Sequence, residues 1–128
     1  GPSPAGTWYR EAYRRLEDIG DWMDINSEAI YETRVVAPYF RDKLRYTIGK
    51  EGTIYVIYLL DEGEASLPEE IVLDGLELKE SYEVEMLGAV GNSVLVENKG
   101  SAPKIRLSKQ GIQKLPSPFA VTFRLTKN

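Results

Sequence analysis

Carboxylates, tyrosines and lysines must carry whatever chemistry this chain performs, because its 128 residues include neither cysteine nor histidine. Without cysteine there is no disulfide framework, thiolate nucleophile or thiolate zinc site, and the redox compartment stays open. Without histidine the chain lacks the side chain that titrates nearest neutrality and the usual ligand of catalytic zinc. Paired carboxylates are then the natural candidates for acid and base work. Glu17, Asp18, Asp21 and Asp24 stand close together, but at spacings that place them on the polar face of a helix, where a solvated surface is the plainer reading.

Two further groups have a chemical reading. Asp61-Glu62-Gly63-Glu64 offers hard oxygen ligands suited to calcium, without the alternating acid pattern of a dedicated calcium loop, so a solvated turn competes with a metal site. Tyr39, Phe40, Tyr46, Tyr55 and Tyr58 are aromatic faces on which a pyranose ring stacks, although aromatics in strands usually serve the core. None of these groups is assigned a catalytic, substrate-binding or metal role, and no cofactor is expected.

Composition narrows the classes. Apolar residues are 42% and charged residues 28% of the chain, as in ordinary folded domains and unlike disordered segments. The net charge of -4 has the wrong sign for neutralising phosphates, so no nucleic-acid partner is expected. The longest apolar run, residues 54–60, is far shorter than the ~20 residues a membrane span needs. Residues 1–4, Gly-Pro-Ser-Pro, do not read as a signal peptide.

Which elements would position these groups? Residues 1–6 read as a loop rich in proline and glycine, with Thr7 as a helix cap. Trp8, Ala12, Leu16, Ile19, Trp22 and Met23 then return at steps of three and four, predicting an amphipathic helix over residues 8–25, with Ile25 off the stripe. Asn26-Ser27 predicts a left-handed stop, followed by a short helical turn at residues 28–31.

After Arg34 the period changes from 3.6 to 2. Leu44, Tyr46 and Ile48 alternate with Arg45 and Thr47, and residues 49–52 form a hairpin loop before the strand 53–60, which is apolar on both faces and belongs at the centre of a covered sheet. Shorter strands follow at residues 70–73, 82–86, around 94–96 and 105–107. The closing strand carries Phe119, Val121, Phe123 and Leu125 on one face. This spacing predicts a mainly β fold, an antiparallel β-sandwich preceded by one long amphipathic α-helix. A two-layer sandwich buries its own inner faces, so the helix, with two tryptophans, needs another surface to cover.

Three segments resemble a known family. The opening Gly1-Pro2-Ser3-Pro4-Ala5-Gly6-Thr7, with Ile19-Gly20-Asp21-Trp22-Met23 running into Asn26-Ser27-Glu28-Ala29-Ile30-Tyr31-Glu32-Thr33-Arg34, is similar to the end of the catalytic barrel in retaining α-L-fucosidases. Gly52-Thr53-Ile54-Tyr55-Val56-Ile57-Tyr58 and Leu115-Pro116-Ser117-Pro118-Phe119 resemble strands of that family's C-terminal β domain. The chain departs from the pattern at Ala5, where relatives often carry an acid, and at Ser27, where they carry glycine.

The resemblance implies that residues 1–33 are the last loop and helix of a (β/α)8-type barrel and residues 34–128 the C-terminal sandwich. It implies a parent that hydrolyses α-L-fucosides by double displacement, with both catalytic carboxyls upstream of Gly1 and this region non-catalytic. Its partners would be the upstream barrel of the same parent and, through it, a fucosylated glycan; its setting would be the bacterial periplasm or the outside of the cell. Trp8, Leu16, Ile19 and Trp22 would pack on that barrel. Two other readings stay open: a carbohydrate-binding sandwich, and a structural domain that self-associates through those four residues.

Overall fold

The computed structural model describes residues 4–36, 42–89, 94–100, 102–108 and 114–128; within the helix, side chains are described at Arg14 and from Leu16 onward. The chain opens with α1 (Pro4–Asn26). The helix therefore starts ahead of the predicted cap, and Thr7 lies inside it. Proline at the first position explains the difference: first-turn N–H groups have no intrahelical partner, so a residue without one loses nothing there.

The end of the helix also departs from expectation. Asn26 takes φ -115 and ψ 4, not a left-handed conformation, and α1 runs into a 3-10 turn at Ser27–Ala29. The Asn26 side-chain amide donates back to the Trp22 carbonyl (3.0 Å), and the left-handed residue comes later, at Glu32 (φ 57). Among the described residues no helix is long and apolar enough to cross a membrane.

The strands follow as β1 (Arg34–Val35), β2 (Leu44–Ile48), β3 (Ile54–Leu59), β4 (Glu70–Val72), β5 (Tyr82–Met86), β6 (Val94–Glu97), β7 (Lys104–Leu107) and β8 (Ala120–Lys127). Among the described residues they form two antiparallel sheets, β1-β2-β3-β8-β5 and β4-β7-β6. β2 and β3 form the predicted hairpin, closed by the 3-10 turn Lys50–Gly52, and β8 returns to pair with β3 so that Val56 opposes Phe123.

Alternation then sorts side chains to two faces. Leu44, Tyr46, Val56, Tyr58, Val121, Phe123 and Leu125 face inward and meet Ile71, Leu73 and Ile105 from the small sheet and its flanks. Each such fully buried aliphatic or aromatic side chain contributes about 1.5–3 kcal/mol. Phe119, expected on that face, precedes the strand and is exposed, while its carbonyl accepts from the Leu60 N–H (2.8 Å).

The outer face of the large sheet is apolar at its centre as well. Tyr55, Ile57 and Ala120 are buried there with Leu87 and Ala29, and Trp22 and Ile25 pack against them. β3 is thus central and covered on both sides, as its two-faced sequence predicts. One cover is the small sheet and the other is the C-terminal end of α1.

Candidate interaction surface

The surface is built where α1 meets the outer face of the large sheet. Ile25 and Asn26 follow Trp22 by three and four residues and precede Ala29 by four and three, so a single side of the helix end turns toward the strands. Trp22 Nε1–H donates to the Ala120 carbonyl (3.1 Å). The Thr47 hydroxyl donates to the Ala29 carbonyl (2.7 Å), which the Thr33 hydroxyl also reaches (3.2 Å), so carbonyls freed at the end of the helical segment find partners.

Gly88, in the turn after β5, allows the close approach of Ile25. It has φ +79, and a Cβ there would lie 2.7 Å from Ile25 Cγ2 and 3.1 Å from Pro116 Cβ. Ile25, off the apolar stripe by sequence, is therefore a docking residue. The docking side shares Trp22 with the stripe and adds Ile25, Asn26 and Ala29 to it.

A charged network locks the same seam. The Arg124 guanidinium donates to both oxygens of Glu28 (3.1 and 3.0 Å) and to Glu85 (3.1 Å), while the Tyr55 hydroxyl donates to Glu28 (2.8 Å). Burial, joined by the Glu28 carboxylate, pushes the Tyr55 phenol up to about 12. The hydrogen bond to Glu28 raises Arg124 further above its ordinary value.

Beyond the seam the surface is open. Leu16 is 67% exposed and Ile19 58% exposed, about two turns and one turn before Trp22. On the other side of Trp22 lies an apolar groove of about 670 Å³, walled by Ile30, Val35, Ile57, Leu59 and Ala120. Of the four residues expected to form one partner-facing set, Leu16 and Ile19 point to solvent and Trp22 turns onto its own sheet; the side chain of Trp8 lies outside the described residues.

The other predicted groups are dispersed. Tyr46 and Tyr58 are buried on the inner face and Tyr55 on the outer face, while Tyr39 and Phe40 lie outside the described residues. The described tyrosines therefore make no common stacking platform. Glu17, Asp21 and Asp24 are exposed along α1.

Asp61 and Glu64 both turn to the Lys43 ammonium, at 3.2 Å from Asp61 and in close contact with Glu64, and Lys43 also sits 4.7 Å from the centre of the Tyr58 ring. The hydrogen bond from Lys43 holds Glu64 below the usual carboxylate range, and that same bond raises Lys43. Two of the loop's three carboxylates are thus engaged by an internal cation. Among the described residues no group of three or more acids could hold a metal ion.

Sequence reasoning did not single out Ile30, Val35 or Arg124. The signal for Arg124 was a cation set between Phe123 and Leu125 in the apolar part of β8, opposite Tyr55 and Glu85 in the sheet. No family model and no curated protein matches the chain.

Proposed function

We propose that this chain is a non-catalytic accessory domain of an α-L-fucosidase-like glycoside hydrolase, C-terminal to the catalytic barrel, and that α1 docks it onto the larger body. The observation that carries the reading is the exposed pair Leu16 and Ile19, together with an apolar groove bordered by Trp22, on a sandwich whose inner core is already filled by its own two sheets. Isolated apolar side chains on a surface need no explanation, but a helix stripe that continues past its own docking site calls for a second surface. The segment Ile19–Arg34 supplies the family, by its resemblance to the end of the fucosidase barrel.

Within this reading the carboxylates of the chain have structural roles. Glu28 and Glu85 anchor Arg124, Asp61 and Glu64 anchor Lys43, and Glu70 anchors Lys104 at 2.9 Å. The test is an aryl α-L-fucoside assay of the chain beside the product of the reading frame extended upstream of Gly1. The chain should release no fucose, and the extended product should. Turnover by the purified chain, or an upstream frame that encodes an unrelated domain, refutes the proposal.

A further inference from the structure

The small sheet carries a second surface, away from α1. Its edge strand β4 pairs only with β7 among the described residues. The Leu73 N–H donates to the Pro103 carbonyl and the Leu107 N–H to the Glu69 carbonyl, each at 2.8–2.9 Å. In an antiparallel ladder the bonded pairs alternate, so residues 69, 71 and 73 face β7, and the N–H and C=O of Glu70 and Val72 point away from it. No bond to these outward groups is found among the described residues.

That open edge borders a cleft of about 480 Å³. Leu44, Tyr58 and Pro68 give it apolar walls, and Asp42 and Asp74 border it from two different connections, their main-chain carbonyls accepting from Arg45 (3.0 Å) and the Tyr46 hydroxyl (2.9 Å). Lys43 also lines the cleft, but Asp61 and Glu64 neutralise it, and Glu70 is taken by Lys104 and Arg106. Asp42 and Asp74 hold no cation in the ion pairs found among the described residues. The cleft therefore sets backbone donors and acceptors, unmet among the described residues, beside two aspartates that no ion pair found among the described residues engages.

We infer that β4 accepts an extended peptide segment as an added strand, and that this segment carries a basic side chain between Asp42 and Asp74. Strand addition supplies affinity through main-chain hydrogen bonds and specificity through alternate side chains. The partner's backbone takes the four outward groups of Glu70 and Val72, and a lysine or arginine lays its aliphatic stem on Leu44 and its charge on the carboxylates. A second copy of this edge is the poorer occupant, because β4 carries no basic side chain of its own to set between Asp42 and Asp74.

The test titrates the full chain with a short acetylated, amidated peptide of alternating threonine and valine carrying one central arginine, and with its glutamate counterpart, following backbone amide shifts. The arginine peptide should give saturable shifts at Glu70 and Val72 and bind about tenfold more tightly than the glutamate peptide. Val72→Pro removes an N–H that β7 does not use, at an edge position that tolerates proline, and should weaken binding at least about tenfold with the thermal midpoint kept. Asp42→Asn with Asp74→Asn should erase the preference for arginine. The inference is overturned by the lack of saturable shifts, by equal binding of both peptides, or by Val72→Pro binding like wild type. Shifts at the edge that grow with protein concentration alone would assign it to a second copy and equally overturn it.

Discussion

Replacing Thr122 by valine is expected to stabilise the protein. Thr122 lies on β8 beneath α1, is 0% exposed, and its hydroxyl has no hydrogen-bond partner among the described residues. A buried hydroxyl left unpaired costs about 1–3 kcal/mol, and valine replaces it with a methyl of nearly the same shape that needs no partner. Because Ile57 opposes Thr122 across the ladder, the new methyl meets an apolar neighbour. A branched side chain is also at home in a central strand.

The expected gain from Thr122→Val is about 1–2 kcal/mol, which for a chain of this size raises the thermal midpoint by roughly 3–6 °C. Denaturant unfolding should show a higher midpoint at unchanged slope. The second orphaned group on this seam is the side-chain oxygen of Asn26, itself 1% exposed. If the two groups are independent, the effect of Thr122→Val should persist in an Asn26→Ala background within about 0.5 kcal/mol. A lowered midpoint for Thr122→Val refutes the reasoning, since it means that the hydroxyl is paired, and a gain that changes by more than about 0.5 kcal/mol without Asn26 refutes the independence of the two groups.

Other expectations follow from the same seam. Gly88→Ala combines a left-handed backbone with a Cβ 2.7 Å from Ile25, and should destabilise by about 2–4 kcal/mol in chemical denaturation. Tyr55 has a folded pKa of about 12 against an ordinary value of 10.0, so the unfolded chain loses this proton first as pH rises; its stabilisation is intact below pH 10.0 and is lost as pH climbs toward about 12. Unfolding midpoints measured across that window should fall, and Tyr55→Phe should flatten the fall. Leu16→Asp with Ile19→Asp should leave the chain's own stability within about 0.5 kcal/mol, because both side chains are mostly exposed, as a thermal melt will show.

Much of the fold was legible because alternation and turn chemistry are local signals. Tyr46 and Thr47 fall on opposite faces of β2 as their order dictates, and the apolar run of β3 announced a strand covered twice. What escaped depends on contacts distant in sequence. Ile25 falls off the stripe because the surface it docks on, at Gly88, is supplied from far along the chain. Phe119 fits the alternation of the closing strand, yet the strand starts one residue later.

The surface was harder to read than the fold. The stripe through Leu16, Ile19 and Trp22 predicted a single buried face, but the helix outruns its sheet, and only the end that bears Trp22 is covered. Aromatic content suggested a sugar platform because sequence gives the number of rings and not their sides; Tyr55 and Tyr58 lie an odd number of residues apart on one strand and so face opposite ways. The edge of β4 was legible only after pairing was known. Its three residues carry no mark of being unpaired, although Pro68 just before them is a residue often found beside sheet edges.

The central claim is that the free part of α1 covers a larger body in the parent protein. It is tested most directly by comparing the thermal midpoint of Leu16→Asp with Ile19→Asp in this chain and in the protein extended upstream of Gly1. The account predicts no change in the chain and a loss of several degrees in the extended protein, where two charges would be forced into an apolar contact. Equal midpoints for wild type and variant in the extended protein would contradict it.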